Sequence, residues 1–175
     1  MGLKELTLNP HKRDHQRFRY VRAVAEQFFV PGKTALDVGS NDGTFAEMLH
    51  DIGYKVCTID KNHDLDASWG DHLLHDIEQI IQPWPGPFDL VHVGQLLEHL
   101  HFPEDAMTNI LMMCKIDTTL LVSVPDFKYK GHLRTYTKDS FLEFMRQFVK
   151  VIETTTFTQD GRSQFLAVGM PLNDR

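Results

Sequence analysis

The chain has 175 residues, 42% of them hydrophobic and 24% charged, which is enough apolar material for one globular domain with a sizeable core. A net charge of -6 argues against tight, sequence-independent nucleic-acid binding, and no apolar run approaches the roughly 18 residues of a membrane span. Met1-Gly-Leu-Lys-Glu-Leu6 lacks the apolar core of a signal peptide, so a cytoplasmic protein without a membrane partner is expected.

Asn9-Pro10 reads as an N-cap followed by proline at a first helical position, and Phe18, Val21, Val24, Ala25, Phe28 and Phe29 recur at helical spacing up to Pro31-Gly32. An amphipathic capping helix over 9–30 is expected. Residues 1–33 carry seven Lys and Arg against three acids, so this helix is basic over an acidic body. Thr34 to Val38 then reads as a strand buried on both faces. Gly39 and Gly43 flank a turn where a ligand can approach bare backbone, and a helix starts near Gly43 with Phe45, Ala46 and Leu49 toward the sheet. Lys55 to Asp60 is a second strand ending in a carboxylate placed to accept hydrogen bonds from a ribose diol. Together these form a nucleotide-binding βαβ unit. Asp37 and Asp42 add negative charge, which suits a cationic ligand better than a pyrophosphate.

The pattern Asp37-x-Gly39-x-Asn41-x-Gly43 resembles motif I of class I S-adenosylmethionine-dependent methyltransferases, and Gly-Ser-Asn-Asp-Gly-Thr is similar to a variant found in some small-molecule and sugar methyltransferases. Asn at position 41 departs from the commonest pattern. The resemblance implies a Rossmann-like α/β fold with a seven-stranded, mostly parallel sheet and an antiparallel C-terminal hairpin. It also implies S-adenosylmethionine as cofactor, held by Asp37, Gly39, Ser40, Asn41, Gly43, Asp60, Lys61, Asp76, Ile77 and Gly94. Arg19 and Tyr20 of the capping helix are placed to reach the methionine carboxylate.

Continuing along the chain, Asp71 to Asp76 is expected as a third strand. Asp76 falls where related enzymes bind the adenine amino group, with the Ile77 N–H donating to the ring; it also reads as an N-cap for a helix over 77–81. Pro83 to Pro87 is a loop, and Phe88 to Gly94 a fourth strand. Gln95-Leu-Leu-Glu-His-Leu100 is similar to the segment following strand four in many methyltransferases. Pro103 opens a helix with Met107, Ile110, Leu111 and Cys114 on its apolar face, and Thr118 to Asp126 is a fifth strand. Two lone cysteines, Cys57 and Cys114, make neither a disulfide framework nor a zinc pattern and read as reduced and buried. Phe127 to Thr135 forms a loop, and Thr137 with Asp139 opens a helix with Phe141, Leu142, Phe144, Met145 and Phe148 inward. Runs over 149–159 and 163–171 make a hairpin across Asp160-Gly161. This reads as a single domain, 1–175, with a cofactor half over 34–126 and a substrate half over 127–171.

His99 and His132 are the base candidates, since an imidazole accepts a proton near neutral pH. His132 stands in His-Leu-Arg-Thr-Tyr-Thr, similar to a string after strand five in related enzymes. The other histidines, His92 among them, share no spacing and read as surface or strand residues. The expected reaction is methyl transfer to an oxygen, less readily a nitrogen or carbon, of a small metabolite or sugar-like acceptor. The expected partner is that small molecule, with nucleic acid disfavoured and a homodimer compatible. No metal site is assigned. Metal-assisted transfer through Glu98, His99 and His132 stands as an alternative, with Gln95, Glu98 and His99 on one helical face and His132 approaching from the next loop, and it resembles the site of small-RNA 2′-O-methyltransferases and of some quinone-biosynthesis O-methyltransferases. A catalytically silent binding module is a second rival. A nicotinamide oxidoreductase is a third, disfavoured by Asp37 two residues before Gly39.

Overall fold

The computed structural model describes residues 15–62, 65, 68, 70–83, 85–159 and 161–172, which contribute seven strands to one sheet with helices on both faces. In chain order the elements are α1 (Gln16–Phe28), β1 (Thr34–Val38), α2 (Thr44–Ile52), β2 (Lys55–Asp60), β3 (Gly70–Leu74), β4 (Phe88–Gly94), α3 (Pro103–Met112), β5 (Cys114–Pro125), α4 (Lys138–Arg146), β6 (Val149–Gln159) and β7 (Arg162–Pro171). The sheet order is β3-β2-β1-β4-β5-β7-β6. The first five strands run parallel, and β7 is antiparallel to both β5 and β6. This is the expected class I methyltransferase arrangement.

Side chains alternate across the sheet, so consecutive residues of a strand serve opposite layers. In β4, Val91 and Val93 join α3 and α4 through Met107, Ile110 and Phe141, while Leu90 packs with Val21 and Ala25 of α1 and Leu49 of α2. His92 and Gly94 share the face of Leu90, beneath α1 and the start of α2. Reversal of the strand order on either side of β1 and β4 leaves a crevice at their carboxyl ends, where open α/β sheets take ligands. Thr137 caps α4 as expected: its side chain accepts from the Ser140 N–H, and Ser140 reciprocates.

Three local expectations are corrected. The third strand is Gly70–Leu74, its last rung being the His75 N–H on the Asp60 carbonyl at 3.0 Å, and Asp76 to Gln79 closes a turn rather than a helix. Helix α3 ends at Met112, and Cys114 opens β5 opposite Phe88, where the Phe88 N–H bonds the Met113 carbonyl at 2.9 Å. Gln95 does not share a helical turn with Glu98 and His99: it has φ +57, outside the single 3-10 turn Leu97–His99. The expected Asn9-Pro10 start of the capping helix and Asp160 of the expected hairpin turn lie outside the described residues. Among the described residues, no helix is long and apolar enough to cross a membrane.

Candidate active site

The turn after β1 takes positive φ at every second residue: Gly39 at +71, Asn41 at +50 and Gly43 at +76. Asparagine enters this left-handed region more readily than other residues with a Cβ, so Asn41 can stand where glycine is common. The conformation aims the Asn41 N–H at Asp60 Oδ2, 2.9 Å away, and Asp60 Oδ1 accepts from the Asn62 N–H at 2.8 Å. One carboxylate therefore ties the β1 turn to the end of β2. Alongside, Asp76 Oδ1 accepts from the Glu78 N–H at 3.1 Å, and Lys61 Nζ lies 3.7 Å from Asp76 Oδ2.

Two adjoining cavities open along the carboxyl ends of the strands. The first, about 400 Å3, is lined by Asp60, Lys61, Asp76 and Ile77 on one side and by Leu96, Leu100 and Gly131 on the other. The second, about 390 Å3, is lined by Asp37, Ser40 and Gly94 together with Arg17, Phe45 and His92. Gly39, Asn41, Gln95 and His99 border both. The predicted contact set is thus brought to one groove with the exception of Gly43, which caps α2; a Cβ there would stand 3.0 Å from Leu65. His132 lines neither cavity but packs edge-on against His99, ring centroids 4.8 Å apart.

The two histidines meet because Arg134 docks the loop after β5 onto the turn after β4. Its Nη2 donates to the Leu100 and His101 carbonyls at 2.9 and 3.0 Å, and the Leu133 N–H donates to the Glu98 carbonyl at 2.8 Å. Both Nδ1 atoms face carbonyls: His99 to Gly131 at 3.0 Å and His132 to Phe127 at 3.1 Å. A carbonyl only accepts, so each neutral ring carries its proton on Nδ1 and keeps Nε2 as the basic nitrogen. Burial, helped by His99 and opposed by the Phe127 carbonyl, holds the His132 pKa below its ordinary value. Glu98 beside them is fully buried with neither carboxylate oxygen hydrogen-bonded, and burial pushes its pKa up to about 7.

Arg17 and His92 carry weight that the sequence reading did not give them. Arg17, rather than Arg19 or Tyr20, points into the groove. It donates to Ser123 Oγ at 3.0 Å and lies 4.8 Å from the Phe45 ring centre. Burial lowers its pKa to about 10 against the pull of Glu98 and Asp37. Tyr20 instead donates to Glu153 on β6 at 2.5 Å, and Arg19 is exposed outside the two cavities. The basic stretch of α1 gave a signal for a cationic contact, but only the helix's rotation selects Arg17. His92 and Asp37 are direct partners in the β1–β4 register, which no spacing along the chain reveals.

Among the described residues ten buried side-chain polar atoms lack a hydrogen-bond partner, and six of them belong to residues lining the second cavity: His15, Asp37, Ser40, His92, Gln95 and Gln164. Unpaired buried polar groups call for a bound partner. Orphaned donors and acceptors beside one guanidinium fit the zwitterionic end of S-adenosylmethionine, and the Asp60 end of the groove fits its nucleoside.

The methyltransferase domain family matches residues 13–161. The ubiquinone biosynthesis O-methyltransferase of Xanthomonas campestris pv. campestris is 29% identical over 126 residues, covering 66% of this chain and 49% of that protein. The chain thus spans about half the length of the curated relatives it first matches. The structure of the Burkholderia thailandensis 1,6-didemethyltoxoflavin-N1-methyltransferase, with bound 1,6-didemethyltoxoflavin and S-adenosylhomocysteine, superposes with a TM-score of 0.78 at 14% identity, covering 94% of this chain and 82% of that one. The N-methyltransferase NodS of Bradyrhizobium japonicum, with S-adenosylhomocysteine, gives 0.69 at 16% identity over 95% and 94% of the two chains. The glycine turn, the strand order and the family match lead to one conclusion: the chain belongs to the class I S-adenosylmethionine-dependent methyltransferases.

Proposed function

We propose that this chain methylates a hydroxyl oxygen of a small acceptor, aromatic or sugar-like, with His99 and His132 receiving the proton that the hydroxyl gives up. The observation that carries the reading is the edge-on histidine pair beside the groove, each ring anchored through Nδ1 with Nε2 left basic. The name of the Xanthomonas relative supports oxygen as the accepting atom. Nitrogen and carbon acceptors are the less favoured outcomes.

When bound, S-adenosylmethionine supplies a methyl group already activated on a sulfonium centre. The chain's task is to hold and orient. Asp60 would accept from the ribose hydroxyls while keeping the glycine turn in place, and Asp76 with the Ile77 N–H would border the base. Arg17 would take the amino-acid carboxylate. An acceptor hydroxyl in the mouth of the groove would lose its proton to Nε2 of His99 or His132, with its oxygen about 3 to 3.5 Å from the carbon it attacks.

Incubation with S-adenosylmethionine and a panel of phenols, catechols and sugars should yield S-adenosylhomocysteine. The double variant His99→Ala/His132→Ala should lower kcat by about a hundredfold or more while still binding S-adenosylhomocysteine. Unchanged turnover in that variant removes both histidines from the chemistry. Cofactor binding without turnover on any acceptor would favour the silent binding module.

One observation favours a metal-assisted version: ligand atoms of Glu98, His99 and His132 lie within 4.8 Å of one another. A carboxylate and two imidazoles suit a divalent transition metal, which would be held by those three residues and would acidify the hydroxyl. Calorimetric titration with Zn2+ or Mn2+ against Glu98→Gln tests it, with no difference between the two proteins counting against the metal.

A further inference from the structure

We propose that His92, held by Asp37, is the residue that receives the α-ammonium of the cofactor's amino-acid end. It rests on the reading of the groove as an S-adenosylmethionine site. Asp37 and His92 stand directly opposite in the parallel register of β1 and β4, so both side chains leave the sheet on the same face. His92 Nδ1 donates to Asp37 Oδ1 at 2.7 Å, with the two side chains only 2% and 3% exposed. Phe45, in the first turn of α2, stacks on the imidazole with ring centres 4.3 Å apart and planes 23° from parallel. The ring is fixed at one nitrogen and along its face.

Its other nitrogen has no partner among the described residues. His92 Nε2 is buried and unbonded, and Asp37 Oδ2 is in the same state. In the neutral ring Nδ1 holds the proton it donates to the carboxylate, so Nε2 presents a lone pair, and what it calls for is a donor. The lining of the second cavity narrows the choice of donor. Arg17 supplies a fixed positive charge, and a Cβ on Gly94 would stand 2.8 Å from both Arg17 Nη1 and His92 Nε2, as well as 2.6 Å from His92 Cε1. A lone pair and a guanidinium thus meet at the end of β4, so close that only a glycine fits beneath them, and both line the second cavity. An α-amino acid answers both at once, its carboxylate on Arg17 and its ammonium on His92.

This arrangement separates two jobs within one acidic turn. Asp37 fixes the tautomer and orientation of His92, and His92 makes the contact. A purely structural Asp–His pair would support every ligand of the groove equally. A reading residue supports only ligands that carry the amino acid.

The experiment compares S-adenosylhomocysteine with 5′-methylthioadenosine, which keeps the nucleoside and thioether but lacks the amino-acid end. Both are titrated calorimetrically into wild type, His92→Leu and His92→Gln, with thermal unfolding as a check of the fold. Wild type should bind S-adenosylhomocysteine the more tightly. His92→Leu should lose about tenfold or more of that affinity, the equivalent of one good hydrogen bond, while 5′-methylthioadenosine changes by less than about twofold. His92→Gln, which keeps an acceptor, should retain part of the difference and carries the test if the leucine variant does not fold. Equal loss for both ligands would make the pair structural and overturn the proposal. Unchanged or tighter S-adenosylhomocysteine binding would give the ammonium to Asp37 directly, with the same consequence. Failure of wild type to bind either ligand would instead sink the underlying cofactor reading, and this proposal with it.

Discussion

Around the first cavity the acids already have protein partners: both Asp60 oxygens accept backbone N–H groups, and Asp76 closes its own turn. Around the second, Asp37 Oδ2, His92 Nε2 and Ser40 Oγ are buried and unanswered, and Glu98 nearby leaves both oxygens so. The satisfied half is a preformed mould whose geometry persists without a ligand. The orphaned half stores an unmet demand that a ligand relieves, so it should contribute selectivity and ligand-dependent stability.

The largest expected effect attacks the satisfied half. Asp60→Ala removes two backbone-to-carboxylate bonds and the proposed ribose acceptor, and should weaken S-adenosylhomocysteine binding about a hundredfold, since charge-assisted bonds contribute about 1.5 to 3 kcal/mol each. A calorimetric affinity within threefold of wild type would show that the turn holds itself. Of comparable size is relief of the orphan Glu98. Its folded pKa of about 7 lies above the ordinary 4.5, so the unfolded chain releases that proton first as pH rises. Stability that is fully present below about pH 4.5 is then lost progressively up to about pH 7, by about 3 kcal/mol. Glu98→Gln has no such loss: urea unfolding should find it more stable than wild type at pH 8, with the gap closing toward pH 5. A constant gap would rule out the buried carboxyl as its source.

Gly94→Ala sharpens the contrast at about 1 to 3 kcal/mol of stability. Its Cβ would meet His92 at 2.6 Å, so it should impair S-adenosylhomocysteine binding while sparing 5′-methylthioadenosine. Smallest of all is Asn41→Gly, expected to shift the thermal midpoint by at most a few degrees, because both residues accept φ near +50. Asn41→Val should cost more, and equal midpoints for the glycine and valine variants would remove the left-handed turn as the reason.

How much of this was legible depended on the range of the interaction. Strands β1, β2 and β4 fell where Thr34–Val38, Lys55–Asp60 and Phe88–Gly94 were read, because runs buried on both faces end at glycine or a carboxylate. The α3–β5 boundary was missed because Cys114 sits four residues after Ile110, so it continues the helical period, and only pairing with Phe88 pulls it into the sheet. Asp76 borders the first cavity, but the helix expected after it does not form: the turn closes with one carbonyl bond, from the Gln79 N–H. Among the site residues, Asp60, Gly39 and the His99–His132 pair carried local signals. His92 was set aside as a strand residue, since its meaning comes from a neighbour 55 positions away across the sheet.

Four residues, Gly39, Asn41, Gln95 and His99, border both cavities and form a saddle between them. For inhibitor design this is a point of attachment: a nucleoside fragment seated on one side and an amino-acid fragment on the other can be joined across the saddle by a short tether. Such a molecule gains from effective concentration, since binding one half raises the local concentration of the other to the millimolar range or above. Its affinity should then exceed that of either fragment by far more than the tether's own contacts explain.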